Sequence, residues 1–184
     1  MSTEPTILPF GGKSPRIAED AFIAPGARII GDVEIGPGAS IWYNCVLRAE
    51  GPGIRVGAGS NIQDGTVVHI TRRNEGTIIG ENCVIGHMAM VHGCILKDHS
   101  FVGLGSIVMD EAVIETDAML AAGGMLTPGK IIPEGEVWGG RPAAFMSKLS
   151  DERREKNRRS PLEYAQLAQL HAEIVGDAGA ASAN

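Results

Sequence analysis

Large aromatic side chains are scarce: the chain of 184 residues holds two Trp, two Tyr and four Phe. Few large rings are therefore available for a core, and small or branched aliphatics must fill the interior. Cysteine is rarer still, at three, an odd number that suits a reducing compartment better than a disulfide scaffold. No apolar run approaches the ~20 residues of a membrane-spanning helix, so no membrane partner is expected. Excess positive charge is missing too. The formal net charge is −6, and bulk charge gives no nucleic-acid footprint. The opening segment MSTEPTILPFGGK lacks a charged start followed by an apolar block and does not read as a secretory leader. These absences together predict a soluble, cytoplasmic protein.

Glycine, by contrast, is abundant at 25, which points to many tight turns. Aliphatic residues recur every six positions at Ile17, Ile23, Ile29, Ile35, Ile41 and Leu47. The count resumes at Val56, Ile62 and Val68, then at Ile79, Ile85 and Val91. It runs again from Leu96 through Val102, Val108, Ile114, Leu120, Leu126 and Ile132 to Trp138. Four positions after many anchors stands a small residue, as at Ala27, Ala39, Cys45, Ser60, Cys83, Ala89, Ser106 and Ala118. Neither an amphipathic helix nor a hairpin has this period. A short strand and a turn, with one inward aliphatic per side and three sides per coil, does. Small residues fit beside the corners, where the interior is narrow, so Cys45 and Cys83 are expected in the core. The pattern is similar to that of hexapeptide-repeat proteins, and that likeness implies left-handed coils. The expected fold is all-β, a left-handed parallel β-helix of about seven coils, followed by a C-terminal α-helix packed outside.

The period breaks three times. Three extra residues follow Leu47, five follow Val68, and one is missing after Val91. Departures from an otherwise regular rule are where function is expected. The anticipated organisation is a β-helix domain over 1–148, a helical segment over 149–175 and a disordered tail over 176–184. Ser160-Pro161-Leu162-Glu163 reads as a capping box, opening a helix whose apolar stripe is Tyr164, Leu167, Ala168, His171, Ile174 and Val175. A shorter, charged helix over 150–159 is expected to present a solvated face.

Three of the five histidines fall in the irregular window. His69 and His92 each follow a side-three anchor directly, one coil apart. Coils stack about 4.8 Å apart, so two outward imidazoles there can grip one metal. His87 lies two positions after a side-two anchor, around a corner. It can join the others only across a three-fold axis, which predicts a homotrimer with His69 and His92 from one chain and His87 from its neighbour. Stacked polar residues on such a face are often only solvated, and any one of these histidines alone would be read so. His99, in a turn, and His171, on the helix, are read as structural, as is Cys94 in the shortened turn. Arg48 shares the offset of His69 and His92, and Asp64 that of His87. Where two sides meet across subunits, Arg48 can face Asp64 as a bidentate pair. Asn61 and Gln63 flank the site as neutral polar groups.

LRAE at 47–50, NIQDGTVVH at 61–69 and GHMAMVHGC at 86–94 resemble the three site motifs of γ-class carbonic anhydrases. The repeat and these motifs span about residues 15–148. The resemblance implies that His69, His87 and His92 hold a metal, zinc by default with iron or cobalt also compatible. It implies that Gln63 orients the bound hydroxide or bicarbonate, with Asn61 as a second polar contact. It further implies Arg48 with Asp64 as the intersubunit pair, Tyr164 as a tyrosine near the site, and reversible hydration of carbon dioxide to bicarbonate as the activity. Two departures stand out. The family's Arg-Gly-Asp segment reads Arg48-Ala49-Glu50, and acidic proton-shuttle loops are missing, the extra segments holding only Glu50 and Glu75. The pattern resembles a shorter branch whose members are often weak or inactive as anhydrases. Two rival readings use the same prism: a coenzyme A thioester acyltransferase or thioesterase, and a non-catalytic metal-binding assembly subunit.

Overall fold

The computed structural model describes residues 4–70 and 76–182. Its chain winds into a left-handed β-helix of about seven coils with one helix, Asp151–Ser182, against the outside. Every anchor from Ile29 to Ile132 is buried, and Ile17, Ile23 and Trp138 pack against that core at the ends. The three faces expected from the period emerge as three parallel stacks. One runs Ile17, Ile35, Val56, Ile79, Leu96, Ile114, Ile132 in direct register. A second runs Ile23, Ile41, Ile62, Ile85, Val102, Leu120, Trp138. The third runs Ile29, Leu47, Val68, Val91, Val108, Leu126. Aliphatics one coil apart interlock along the axis, so dispersion and apolar burial reinforce the ladder bonds. The corner residues Ala27, Cys45, Ser60, Cys83, Ala112 and Ala118 are fully buried. One face is extended at each end: Thr6–Leu8 pairs with residues 28–30, and an antiparallel hairpin of Glu136–Gly139 with Ala144–Lys148 ends another stack.

The breaks are absorbed locally. The three residues inserted after Leu47 lie in one long strand, Val46–Val56, which follows Arg28–Ile35 around a corner with a register shift between Gly31 and Val33. A Cβ at Gly31 would lie 2.0 Å from the Ala49 carbonyl oxygen, so only glycine permits that approach. Part of the second insertion, with Glu75, lies outside the described residues.

The C-terminal segment corrects the expectation of two helices and a tail. Residues 151–182 form one helix, with Pro161 inside it. Its cap is Ser150, whose Oγ accepts from the Arg153 amide at 3.2 Å, and not Ser160. The helix reaches Ser182, through most of the segment expected to be a tail. Leu167 and Ile174 are exposed, while Asn157, Pro161, Tyr164, Ala168, His171 and Val175 lie on the covered side. Steps of three and four residues along a helix keep the latter set on one line, whereas Leu167 and Ile174 fall on its flank. The charged first turns are not wholly solvated either. Arg158 makes a bidentate pair with buried Asp117, at 2.9 and 2.6 Å, which clamps the helix to the prism. Among the described residues no helix is long and apolar enough to cross a membrane.

Candidate metal centre

His69 ends the strand Val67–His69 and His92 ends Met90–His92, in direct register. Arg48 pairs with His69 one coil below. Outward side chains at one offset stack by necessity, because the inward anchors before them are locked in the core. His69 Nδ1 and His92 Nε2 stand 3.0 Å apart, with ring centroids at 5.1 Å. The outer nitrogens are both engaged by carboxylates: His69 Nε2 with Glu50 Oε2 at 3.0 Å, and His92 Nδ1 with Asp110 Oδ1 at 2.8 Å. A neutral imidazole carries one N–H. With that proton drawn outward by each carboxylate, both inner nitrogens present lone pairs to each other, an arrangement that a cation or proton between them stabilises. Two nitrogens bound to one ion at about 2.0–2.1 Å are separated by roughly 2.9–3.4 Å for right-angle to tetrahedral coordination. The observed spacing fits. Burial, with the nearby positive charge of Arg48, lowers the pKa of His69, which favours the neutral, ligating form.

His87 stands apart on a turn, its Nδ1 2.8 Å from Asp64 Oδ2. Each of the three histidines is therefore backed by a carboxylate, the usual device that fixes a metal-binding imidazole's tautomer. The chain does not bring the three together. Among the described residues no three His, Cys, Asp or Glu side chains converge to hold an ion within one chain. In the single chain Arg48 pairs with Glu50, and Asp64 also accepts from the Tyr43 amide at 3.2 Å.

Asn61 and Gln63 are buried, and Gln63 Nε2 donates to Asn61 Oδ1 at 3.1 Å. The helix brings Tyr164 close to Gln63, and burial raises the Tyr164 pKa, so its hydroxyl stays protonated. Tyr164 is held by an edge contact to Trp42 at 5.6 Å. All three cysteines are buried. Burial pushes the thiols of Cys45 and Cys94 up to about 12, which leaves them unreactive.

Two residues escaped the sequence reading. Asp110 follows its anchor by two positions rather than one, so it does not share the offset of His92. Tyr43 does share the offset of Asp64 and His87, two positions after Ile41, Ile62 and Ile85; that column could have been found.

The comparisons with known proteins match this picture. Residues 14–49 match the family model described as bacterial transferase hexapeptide (six repeats). The chain is 47% identical to gamma carbonic anhydrase 2, mitochondrial, of Arabidopsis thaliana over 177 residues, 94% of this chain and 64% of that protein. It thus spans somewhat less than two thirds of that relative's length. It is 36% identical to carnitine operon protein CaiE of Escherichia coli K12 over 158 residues, 86% of this chain and 80% of CaiE. A crystal structure of a hexapeptide transferase family protein from Anaplasma phagocytophilum superposes with a TM-score of 0.86 at 49% identity, covering 89% of this chain and 96% of that one. With its repeat, its three faces and its relatives in agreement, the chain belongs to the γ-carbonic anhydrase-like family of left-handed β-helix, hexapeptide-repeat proteins.

Proposed function

We propose that the protein hydrates carbon dioxide reversibly to bicarbonate, as a cytoplasmic homotrimer with one metal at each subunit interface. The observation that carries this reading is the His69–His92 pair, two facing nitrogens at chelating distance with Glu50 and Asp110 behind them. His87, held by Asp64 around the corner, is the third ligand, reaching the pair on a neighbouring subunit. Arg48 exchanges its partner for the neighbour's Asp64 on assembly. The prism, residues 1–148, carries every ligand, and the segment 149–175 contributes Tyr164.

Three neutral imidazoles suit zinc, with iron or cobalt also compatible, and such an ion supplies a water that ionises near pH 7. The remaining work falls to the chain. Asn61 fixes the amide of Gln63, and Gln63 with Tyr164 presents polar atoms that orient the reacting oxygen and the bicarbonate product. Being protonated, Tyr164 donates a hydrogen bond rather than adding negative charge. The test is stopped-flow carbon dioxide hydration on anaerobically prepared protein of measured metal content. Hydration that scales with metal occupancy supports the reading. Metal-loaded trimer without hydration, but with hydrolysis or transfer of a coenzyme A thioester, replaces it with the acyl-transfer reading that the relatedness to a hexapeptide transferase family protein suggests. Metal-loaded trimer inert in both assays points to an assembly subunit.

A further inference from the structure

Hydration releases a proton that must reach bulk water, and the extra segments of this chain hold few acidic groups to carry it. A different route is built into the corner where the helix docks. Tyr43, Asp64 and His87 occupy the same offset on three successive coils, joined by the amide of Gly65 to the Tyr43 carbonyl and that of Met88 to the Asp64 carbonyl, each at 2.9 Å. With coils about 4.8 Å apart, Tyr43 lies roughly 10 Å along the column from His87. Between them, Asp64 holds His87 Nδ1 on one oxygen and accepts from the Tyr43 backbone amide on the other. The Tyr43 hydroxyl is 2.8 Å from His171 Nδ1. His171 is half-buried, and Phe22 and Trp42 wall its ring. Tyr43 faces His171 from the prism, Tyr164 is two turns back along α-helix 151–182, and Glu19 and Asp20 line the neighbouring cleft beneath the helix.

We propose that Tyr43 and His171 form the proton outlet of the site. This inference rests on the carbon dioxide reading above. A proton arriving through water near Asp64 binds the Tyr43 oxygen as that hydroxyl passes its own proton to His171 Nδ1. The imidazolium then releases a proton from Nε2 to buffer, and the tautomer resets. No bond other than O–H and N–H changes, and the charge leaves as one proton. An imidazole suits the task because one ring nitrogen can accept a proton while the other releases one.

The test uses full-length, metal-loaded trimer of wild type, His171→Ala, His171→Phe and Tyr43→Phe. The proton leaves after carbon dioxide has reacted, so kcat reports the outlet and kcat/KM does not. In dilute non-imidazole buffer, kcat of the His171 variants is expected to fall about tenfold or more, with kcat/KM within about twofold, and added imidazole restores it. His171→Phe keeps the ring packing, so it separates relay from docking. Unchanged kcat in His171→Phe overturns the outlet. Parallel loss of kcat and kcat/KM without rescue by imidazole also overturns it and assigns the pair to helix docking. Wild type without hydration overturns the carbon dioxide reading, and the outlet with it.

Discussion

His69 Nδ1 and His92 Nε2 face each other across 3.0 Å, each ring held from behind by a carboxylate. The pair spans two successive coils, and in the proposed site it is two of three metal ligands. His87→Ala is therefore expected to leave the prism folded, since the anchors carry the core, while metal content drops sharply because two imidazoles hold zinc less well than three. Elemental analysis with circular dichroism checks this. Full occupancy in the variant would exclude the shared-ligand geometry.

Asp110→Asn is expected to weaken metal binding about 10–100-fold, the ordinary cost of losing a carboxylate behind a ligating histidine. Its side chain is 38% exposed, so folding stability should barely change. Competition with a chromophoric chelator measures the affinity, and an unchanged affinity would remove Asp110 from the site.

Light scattering of the intact protein is expected to give about three times the chain mass of 19.3 kDa. Arg48→Ala should weaken that assembly more than it weakens the single prism, by roughly 3–5 kcal/mol if the partner's carboxylate is left buried and unpaired. Sedimentation over a dilution series reads the effect. A monomer that binds one full metal per chain would sink the trimer.

Asp117 ties the helix to the prism, and hydrogen bonding by Arg158 holds its carboxyl below the ordinary carboxylate value of 3.8. A depressed carboxylate stabilises the fold above its unfolded pKa and loses that contribution as pH falls through its folded value. Arg158→Ala is thus expected to cost about 1–3 kcal/mol near neutrality, with the gap to wild type closing below pH 3.8. Urea unfolding at several pH values tests this, and a gap independent of pH would assign the effect to packing.

Gln63→Ala retains all three histidines, so metal content and assembly should match wild type. Turnover should fall by roughly 10²-fold or more, as expected when a preorganised polar contact to the reacting oxygen is lost. Undiminished turnover would remove Gln63 from the mechanism.

The period of six was enough to assign the repeating inward anchors, because a narrow interior admits one large side chain per side, but Val33, Ile54 and Ile70 are buried in the same core off that period. Ile35, Val56 and Ile79 stack despite the insertions between them, since the core tolerates extra residues only where the chain can loop outward. The same logic made His69 and His92 neighbours. The helix was less legible. Ser160-Pro161 has the composition of a start, yet the chain enters the helix at Ser150, ten residues earlier. Proline is tolerated there because docking by Arg158 and Tyr164 outweighs one missing backbone bond.

The sequence by itself determined the coil, its three faces, the corner positions and the column on which each histidine stands, because all of these follow from which side chains must avoid water. Only the tertiary structure decided which atoms meet outside the core. Glu50 and Asp110 reach the histidines through turn geometry and side-chain torsions that no period encodes. His171 meets Tyr43 across 128 residues of chain, a contact set by where a helix lands on a finished prism rather than by any local rule.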